Sequence, residues 1–371
     1  MSNEICVISG IFPPESGGPA KFAFTFSDWL IKNDKKVSVI TLTDGISDLI
    51  YDHGIQIRRI SRKLNLVVRY LRTSIFIWKK SKSKSLIIAN GCFIETWFAF
   101  FFTKRAYIAK VPGDIVWERA YISNATTLSL TEYQKSHMQF KYKVFRYFYS
   151  RSLKRANHVI VPSSELRNVC INWGVPSSKI SVIYNSVSSK IFLPSSIEKK
   201  FDVITISRLV PWKNINELII CCSELGLSLV IVGDGPEMNN LKNIALRFKA
   251  KATFYGNVVQ SELPIILNSA KIFVLNSSYE ASSYALLEAR SCGLVSIART
   301  NTGSEEVIRN GIDGLLINEE QGINLKHCLK KSFSNEFDYT KYSQAAVDRT
   351  RELFDMNINY LEIYKIIELS K

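Results

Sequence analysis

Acidic side chains are scarce in the first half of this 371-residue chain: residues 1–200 hold 13 of them against 30 lysines and arginines. Residues 201–371 hold 20 acidic and 18 basic side chains, so the net +15 of the whole comes from one half. The excess is densest in residues 51–200, with 26 basic and 7 acidic side chains. That asymmetry predicts halves that face different partners. Cysteine is sparse and scattered (Cys6, Cys92, Cys170, Cys221, Cys222, Cys292, Cys328), with no C-x-x-C pair. This excludes a disulfide framework and fits buried, reduced thiols. The four histidines (His53, His137, His158, His327) lack ligand spacing, which argues against a histidine-built metal site. Long apolar runs are missing too. The most apolar stretch, Phe93–Thr103, contains Glu95 and falls short of the ~20 residues a membrane-crossing helix needs. The N-terminus has neither a basic n-region nor a long apolar h-region, so it reads as a strand rather than a signal peptide. Internal repeats and low-complexity segments are absent.

What is present is an alternation of short apolar runs with helical patterns. Strands are predicted at Ile5–Ser9, Val37–Thr41, Ile55–Ile60, Leu86–Ala89, Ala106–Val111, His158–Pro162 and Lys179–Ile183. Between them, Lys21–Lys32, Leu64–Trp78 and Phe140–Lys154 carry apolar residues at helical spacing. The pattern restarts with six strands, Asp202–Ser207, Ser228–Val232, Thr253–Tyr255, Ile272–Leu275, Val295–Ala298 and Gly314–Ile317. Helical patterns at Ile215–Leu225, Glu237–Phe248, Ser261–Ser269 and Tyr284–Ser291 fill most of the gaps. The expected fold class is α/β: two Rossmann-like, doubly wound domains facing a central cleft, with ligands at the strand C-terminal ends. The join lies in the turn-rich stretch Asn185–Pro194. The expected domains are 1–187, 188–352 and a final helical segment 353–371.

Several loops beyond strands carry chemistry. Arg208 and Lys213 follow the strand Asp202–Ser207; a guanidinium and an ammonium there suit a diphosphate, or are two surface cations. Glu280 lies in the loop after Ile272–Leu275. Ser282, Ser283 and Tyr284 then open a helix that carries Glu288, and its first backbone N–H groups suit phosphate oxygens. A carboxylate at Glu280 can bond sugar hydroxyls, and one at Glu288 a ribose diol. Gly17 and Gly18 open the first helix and serve either as a structural turn or as a mobile flap over a ligand. Gly233, and Val258 in Gly256-Asn-Val258, mark turns where backbone groups read a base, or turns and nothing more. Asp114, in Val111-Pro-Gly-Asp114-Ile-Val-Trp-Glu118, puts a carboxylate beyond a first-half strand.

Taken in order, FPPESGGPAKF, VPSSELRNVCINWGVPSSKISVIYNSV, SRLVPWKN, IVGDGPE, YGNV, YEASSYALLEARSCGLVSIA and TGSEEVIRNGIDGLLI resemble the retaining glycosyltransferases of family 4, which have the GT-B fold. The resemblance runs nearly the full length of the chain. It implies that Arg208 and Lys213 grip the donor diphosphate, that Glu280 lies near the donor sugar and that Glu288 binds the ribose. It places Gly17 and Gly18 near the donor phosphates and acceptor, and has Leu353–Leu369 cross back onto the first domain. The sequence also departs from the family pattern. Asp114 stands in the loop where a histidine against the donor sugar is usual and is the catalytic candidate to replace it, Ser207, Asn214 and Ala281 replace usual glycines, and Thr302 leaves Gly303 without its partner glycine.

The resemblance implies transfer of a sugar from a nucleotide-sugar donor, a UDP-sugar by preference, to a lipid-linked saccharide in surface polysaccharide or lipopolysaccharide assembly. The alternatives are a soluble small-molecule acceptor, or a non-catalytic nucleotide-sugar binder. No D-x-D occurs, so no cofactor and no metal ion are expected, and Arg208 and Lys213 supply the charge. The basic segment Leu64–Lys84, flanked by Arg58, Arg59, Arg62 and Lys63, predicts attachment to an anionic membrane surface on the cytoplasmic side. Nothing accompanies this charge that would read nucleic acid.

Overall fold

The computed structural model describes residues 4–83, 85–101, 103, 105 and 107–370. It forms two compact units: Met1–Tyr184 with Asn357–Lys371, and Asn185–Met356.

The first unit is built on eight strands: β1 (Glu4–Ser9), β2 (Lys36–Thr43), β3 (Asp48–Asp52), β4 (Ile55–Ser61), β5 (Leu86–Asn90), β6 (Ile108–Lys110), β7 (His158–Val161) and β8 (Ile180–Val182). Their order is β3-β4-β2-β1-β5-β6-β7-β8, parallel except for β3 against β4. The central strands are continuous apolar runs because helices cover both faces. Val7, for example, lies opposite Val39 on one side and Ile88 on the other. β3 departs from the sequence reading. It is a short, half-exposed edge strand, and its one strong signal is the turn His53-Gly54, where both residues have positive φ (46° and 77°). Of the expected strand Ala106–Val111, Ala106 lies outside the described residues, as does Lys84 of the basic segment.

Helix α1 (Gly18–Lys32) starts earlier than its apolar pattern because Gly17 precedes it and Pro19 sits in its first turn. Helix α2 (Leu66–Lys82) is capped by the Asn65 side chain and continues past Trp78 through a lysine-rich last turn. Two helices absent from the sequence reading follow, α3 (Phe93–Phe100) and α4 (Ile115–Ile122). The helix Met356–Leu369 packs in this unit. Tyr360 meets Phe22, Phe26 and Trp29 edge-on at 6.0, 5.2 and 6.1 Å between ring centroids. Asn357 Oδ1 accepts a hydrogen bond from Trp29 Nε1 at 3.1 Å.

The second unit is a six-stranded, all-parallel sheet: β9 (Phe201–Ile206), β10 (Leu229–Val232), β11 (Ala252–Gly256), β12 (Ala270–Leu275), β13 (Val295–Arg299) and β14 (Gly314–Ile317). The order β11-β10-β9-β12-β13-β14 is doubly wound and reverses between β9 and β12. Its core joins Val203, Leu229, Ile231, Ile272, Val274, Val295 and Ile297 to Leu218 and Ile219 of the helix Ile215–Glu224. Burying each such side chain stabilises the fold by roughly 1.5–3 kcal/mol.

Candidate active site

The loops after β9 and β12 carry Arg208, Lys213 and Glu280, and strand order makes them neighbours. β9 pairs directly with β12 at the point where the sheet reverses, and loops leaving such a point diverge and open a crevice. Arg208, just beyond β9, is exposed and has no ion-pair partner among the described residues. Lys213 ends the short turn Pro211–Lys213 and its Nζ donates to Glu280 Oε2 at 2.5 Å. Both side chains are mostly shielded (14% and 16% exposed), so water screens this pair less than a surface one.

The two loops are stitched together by backbone groups. Ser278 donates to Trp212 O from both N (2.9 Å) and Oγ (3.2 Å). Asn214 Nδ2 donates to Asn276 O, and Asn276 Nδ2 returns a bond to Asn214 O (3.1 and 3.0 Å). Arg299 completes the brace, bonding Glu217 Oε2 (2.6 Å) and Asn276 Oδ1 (2.8 Å). Arg299 was not legible in sequence, because only folding brings it beside Glu217.

A Cβ on Gly233 would lie 2.0 Å from Ser207 O, and one on Gly303 2.0 Å from Ala281 O. Both glycines therefore let backbones touch at the strand ends. The N–H of Gly233 donates to Gly256 O at 2.7 Å, inside the fold. Val258 follows two residues later and is half-buried.

The helix Tyr284–Ser291 begins as the sequence predicts. Ser283 Oγ caps it by accepting from Leu286 N at 3.3 Å, and Tyr284 is buried. Glu288 is only 2% exposed, and Gln260 Nε2 donates to its Oε1 at 3.2 Å. Gln260 is a further residue that sequence reasoning missed. The hydroxyls of Ser207, Ser277 and Ser282, all in the loops beyond β9 and β12, are buried without a hydrogen-bond partner among the described residues.

In the first unit, Gly17 adopts φ 143° and Gly18 opens α1. The loop before them is anchored. Arg62 grips both oxygens of Glu15 (3.0 and 2.8 Å) and donates to Gly10 O (2.6 Å), while Arg59 donates to Pro13 O (3.0 Å). Arg62 also pairs with Asp44, and Lys80 with Glu4. These cations are committed inside the fold rather than offered to a surface.

Asp114 needs correcting. It is fully buried and caps α4: Oδ1 accepts from Val116 N and Trp117 N (2.9 and 3.1 Å) and Oδ2 from Gln134 Nε2 (2.6 Å). Burial outweighs these bonds and pushes its carboxyl up to about 6. A carboxylate with no exposed surface is a cap, not a group presented to a sugar.

A cavity of about 580 Å³ opens at the C-terminal ends of β1 and β5, where this sheet reverses. Its lining includes Gly10, Arg62, Arg69, Glu95 and Arg119. Burial raises the Glu95 pKa although the charges of Arg69 and Arg119 pull it down. The signal that could have found Glu95 is its isolation, as the one carboxylate in the most apolar stretch.

Two family models cover this architecture in sequence order: Glycosyltransferase Family 4 matches residues 16–190, and Glycosyl transferases group 1 matches residues 188–349. The chain belongs to the family 4 glycosyltransferases. An uncharacterised glycosyltransferase of Methanocaldococcus jannaschii is 24% identical over 63% of this chain. The UDP-Gal:alpha-D-GlcNAc-diphosphoundecaprenol alpha-1,3-galactosyltransferase of Escherichia coli is 28% identical over 58% of it. This chain spans 65% of the length of each. HepE of Anabaena, solved in complex with UDP-glucose, superposes with a TM-score of 0.78 at 16% identity, covering 98% of this chain and 99% of that one. The fold is GT-B.

The structure explains how this glycosyltransferase accommodates its departures from the family pattern. Asn214 occupies the left-handed region (φ 49°, ψ 38°), which asparagine tolerates better than most residues, so it can stand in for glycine. Thr302 Oγ1 caps the turn Gly303–Glu306 by accepting from Ser304 N at 3.2 Å, leaving the close contact to Gly303 alone. Among the described residues no three His, Cys, Asp or Glu side chains group to hold a metal ion, and no helix is long and apolar enough to cross a membrane.

Proposed function

We propose that this protein is a retaining glycosyltransferase that moves a hexosyl or N-acetylhexosaminyl group from a UDP-sugar to a lipid-linked saccharide at a membrane surface. The observation that carries the reading is the cluster beyond β9 and β12, where the unpaired Arg208 sits near the shielded Lys213–Glu280 pair. The three partnerless serine hydroxyls beside them are donors suited to diphosphate or sugar oxygens. The UDP-sugar and lipid-linked acceptor are favoured by the substrates of the Escherichia coli relative, UDP-Gal and GlcNAc-diphosphoundecaprenol, and by the UDP-glucose bound to HepE.

In the proposed reaction the bond between the anomeric carbon and the phosphate oxygen breaks, and the nucleoside diphosphate leaves. The acceptor oxygen bonds the same face of that carbon, and its proton passes to the departing phosphate oxygen. Arg208 and Lys213 stabilise the charge that develops on the diphosphate; preorganised charge of this kind is usually the largest single catalytic contribution. As the diphosphate engages Lys213, Glu280 is released to bind sugar hydroxyls. Ser282, Ser283 and Tyr284 hold phosphate oxygens at the helix start, Gly233 and Val258 border the base, and Glu288 binds the ribose. No metal ion takes part.

Membrane attachment is assigned to α2. Val67, Val68, Leu71, Ile75 and Trp78 are exposed along it, with Arg72, Lys79 and Lys82 beside them. Each basic residue near an anionic leaflet contributes about 1 kcal/mol.

The test is a thermal-shift screen against nucleotide sugars, followed by transfer assays with Arg208→Ala and Glu280→Gln. Each variant should fold normally and lose about 10²–10³-fold in turnover. A covalent glycosyl adduct trapped on Glu280 would refute the front-face route. Activity abolished by chelator and restored by Mg²⁺ or Mn²⁺ would refute metal independence.

A further inference from the structure

A second cavity, of about 460 Å³, lies in the first unit beneath the C-terminal half of α2. It is lined by β-strand residues Glu4, Ser38, Gln56 and Arg58 and by Phe76, Lys79, Lys80 and Ser83 of α2 and its end. None of these residues lines the larger cavity at the strand C-terminal ends. Its charges are unequally committed. Lys80 Nζ pairs with Glu4 (2.5 Å) and donates to Gln56 Oε1 (3.0 Å), so these two charges cancel. Arg58 is half-buried, has no carboxylate partner among the described residues, and stacks its guanidinium 4.9 Å from the Phe76 ring centroid. Lys79 is exposed and likewise unpaired. The cavity therefore presents a surplus of two positive charges, one of them a planar fork held rigid by an aromatic ring.

Its position on the helix matters equally. Thr73, Ser74, Ile77 and Ser81 turn inward, and Val67, Leu71, Ile75 and Trp78 form an exposed apolar arc on another face. Arg72 and Lys79 lie between that arc and the cavity side marked by Phe76 and Ser83, as 100° per residue requires. A helix lying at a lipid interface with this arc in the acyl region holds its basic row, and the cavity behind it, at headgroup depth.

We infer that this cavity is a binding site for the phosphodiester headgroup of an anionic membrane lipid. Arg58 grips two phosphate oxygens and Lys79 adds a point charge. The inference rests on the membrane-surface part of the proposed function and gives that surface a specific site. It also fixes which lipid class the protein selects, independently of the saccharide acceptor.

The experiment uses the full chain and two pairs of substitutions that remove equal charge from one helix region. Arg58→Gln with Lys79→Gln empties the cavity of its free cations; Arg72→Gln with Lys82→Gln removes two cations outside it. Binding is measured to phosphatidylcholine vesicles with and without phosphatidylglycerol, and melting is followed with soluble glycerol 3-phosphate and with inorganic phosphate. The cavity pair should lower affinity for phosphatidylglycerol vesicles about tenfold more than the outer pair, and glycerol 3-phosphate should stabilise the wild type but not the cavity pair. Lys79→Gln alone, at an exposed position, repeats the comparison should the Arg58 change impair folding. Equal losses from both pairs would show unspecific surface charge and overturn the site. Stabilisation by inorganic phosphate as strong as by glycerol 3-phosphate would overturn the lipid assignment in favour of a free-phosphate site. If the wild type binds no anionic vesicle at all, the membrane reading itself falls; if it binds and Arg58 proves irrelevant, only this inference does.

Discussion

Asp114 shows how one residue reads differently in a sequence and in a fold. Beyond a strand and ahead of an apolar run, a carboxylate suits a ligand as well as it suits a cap. Three hydrogen bonds and complete burial decide for the cap. Replacing it with alanine should cost about 1–2 kcal/mol of stability, measured by denaturant titration, from loss of the cap alone. The pH dependence has a definite sign. The folded carboxyl titrates at about 6, above its ordinary 3.8, so the folded state holds its proton more tightly than the unfolded one. Its contribution to stability is fully present below pH 3.8 and is lost as pH rises through about 6. Asp114→Asn should therefore flatten the fall in melting temperature across that window, and an unchanged profile would contradict the assignment. Glu280 and Lys213 were both legible as candidates, but that they bond each other was not, because 67 positions and three strands separate them in the chain.

At the scale of elements, the loops beyond β9 and β12 act as one piece: their backbones bond at Trp212–Ser278, and the side-chain amides of Asn214 and Asn276 each bond the other's backbone carbonyl. Gly303 joins a third loop to them through its contact with Ala281 O and its N–H bond to Glu280 O (2.7 Å). A methyl group there cannot be accommodated without moving backbone. Gly303→Ala should lower the stability of the second unit by about 3 kcal/mol and displace Glu280, so that donor affinity falls with stability. Retained affinity at a lowered denaturation midpoint would show that the loops are independent. α2 makes the complementary case. Its periodicity was readable, but two cations counted with it are spent: Arg62 on Glu15 and Asp44, and Lys80 on Glu4. Leu71→Ser with Trp78→Ser should therefore weaken vesicle binding while leaving UDP-sugar binding unchanged, as read by co-sedimentation and calorimetry.

For the whole molecule, the chain closes on its own beginning. The helix Met356–Leu369 seats Tyr360 among Phe22, Phe26 and Trp29 of α1, so the last residues complete the core of the first unit. Tyr360→Ala removes a 2%-exposed ring from that cluster and should destabilise the first unit by about 3 kcal/mol. Its unfolding transition should then separate from that of the second unit in calorimetry; coincident transitions would mean that the units fold as one.

The sequence by itself determined the two parallel-sheet units, most strand positions and the loops that hold Arg208, Lys213, Glu280 and Glu288. Apolar runs buried on both faces and turns at strand ends are local features, written in consecutive residues. Only the tertiary structure decided which charges are spoken for: that Lys213 holds Glu280, that Arg62 anchors the Gly10–Gly17 loop, and that Asp114 faces inward. It also decided that Arg58 stacks on Phe76 and has no carboxylate partner among the described residues. The physical reason is that an ion pair depends on distance in space, and strand order rather than residue number sets that distance.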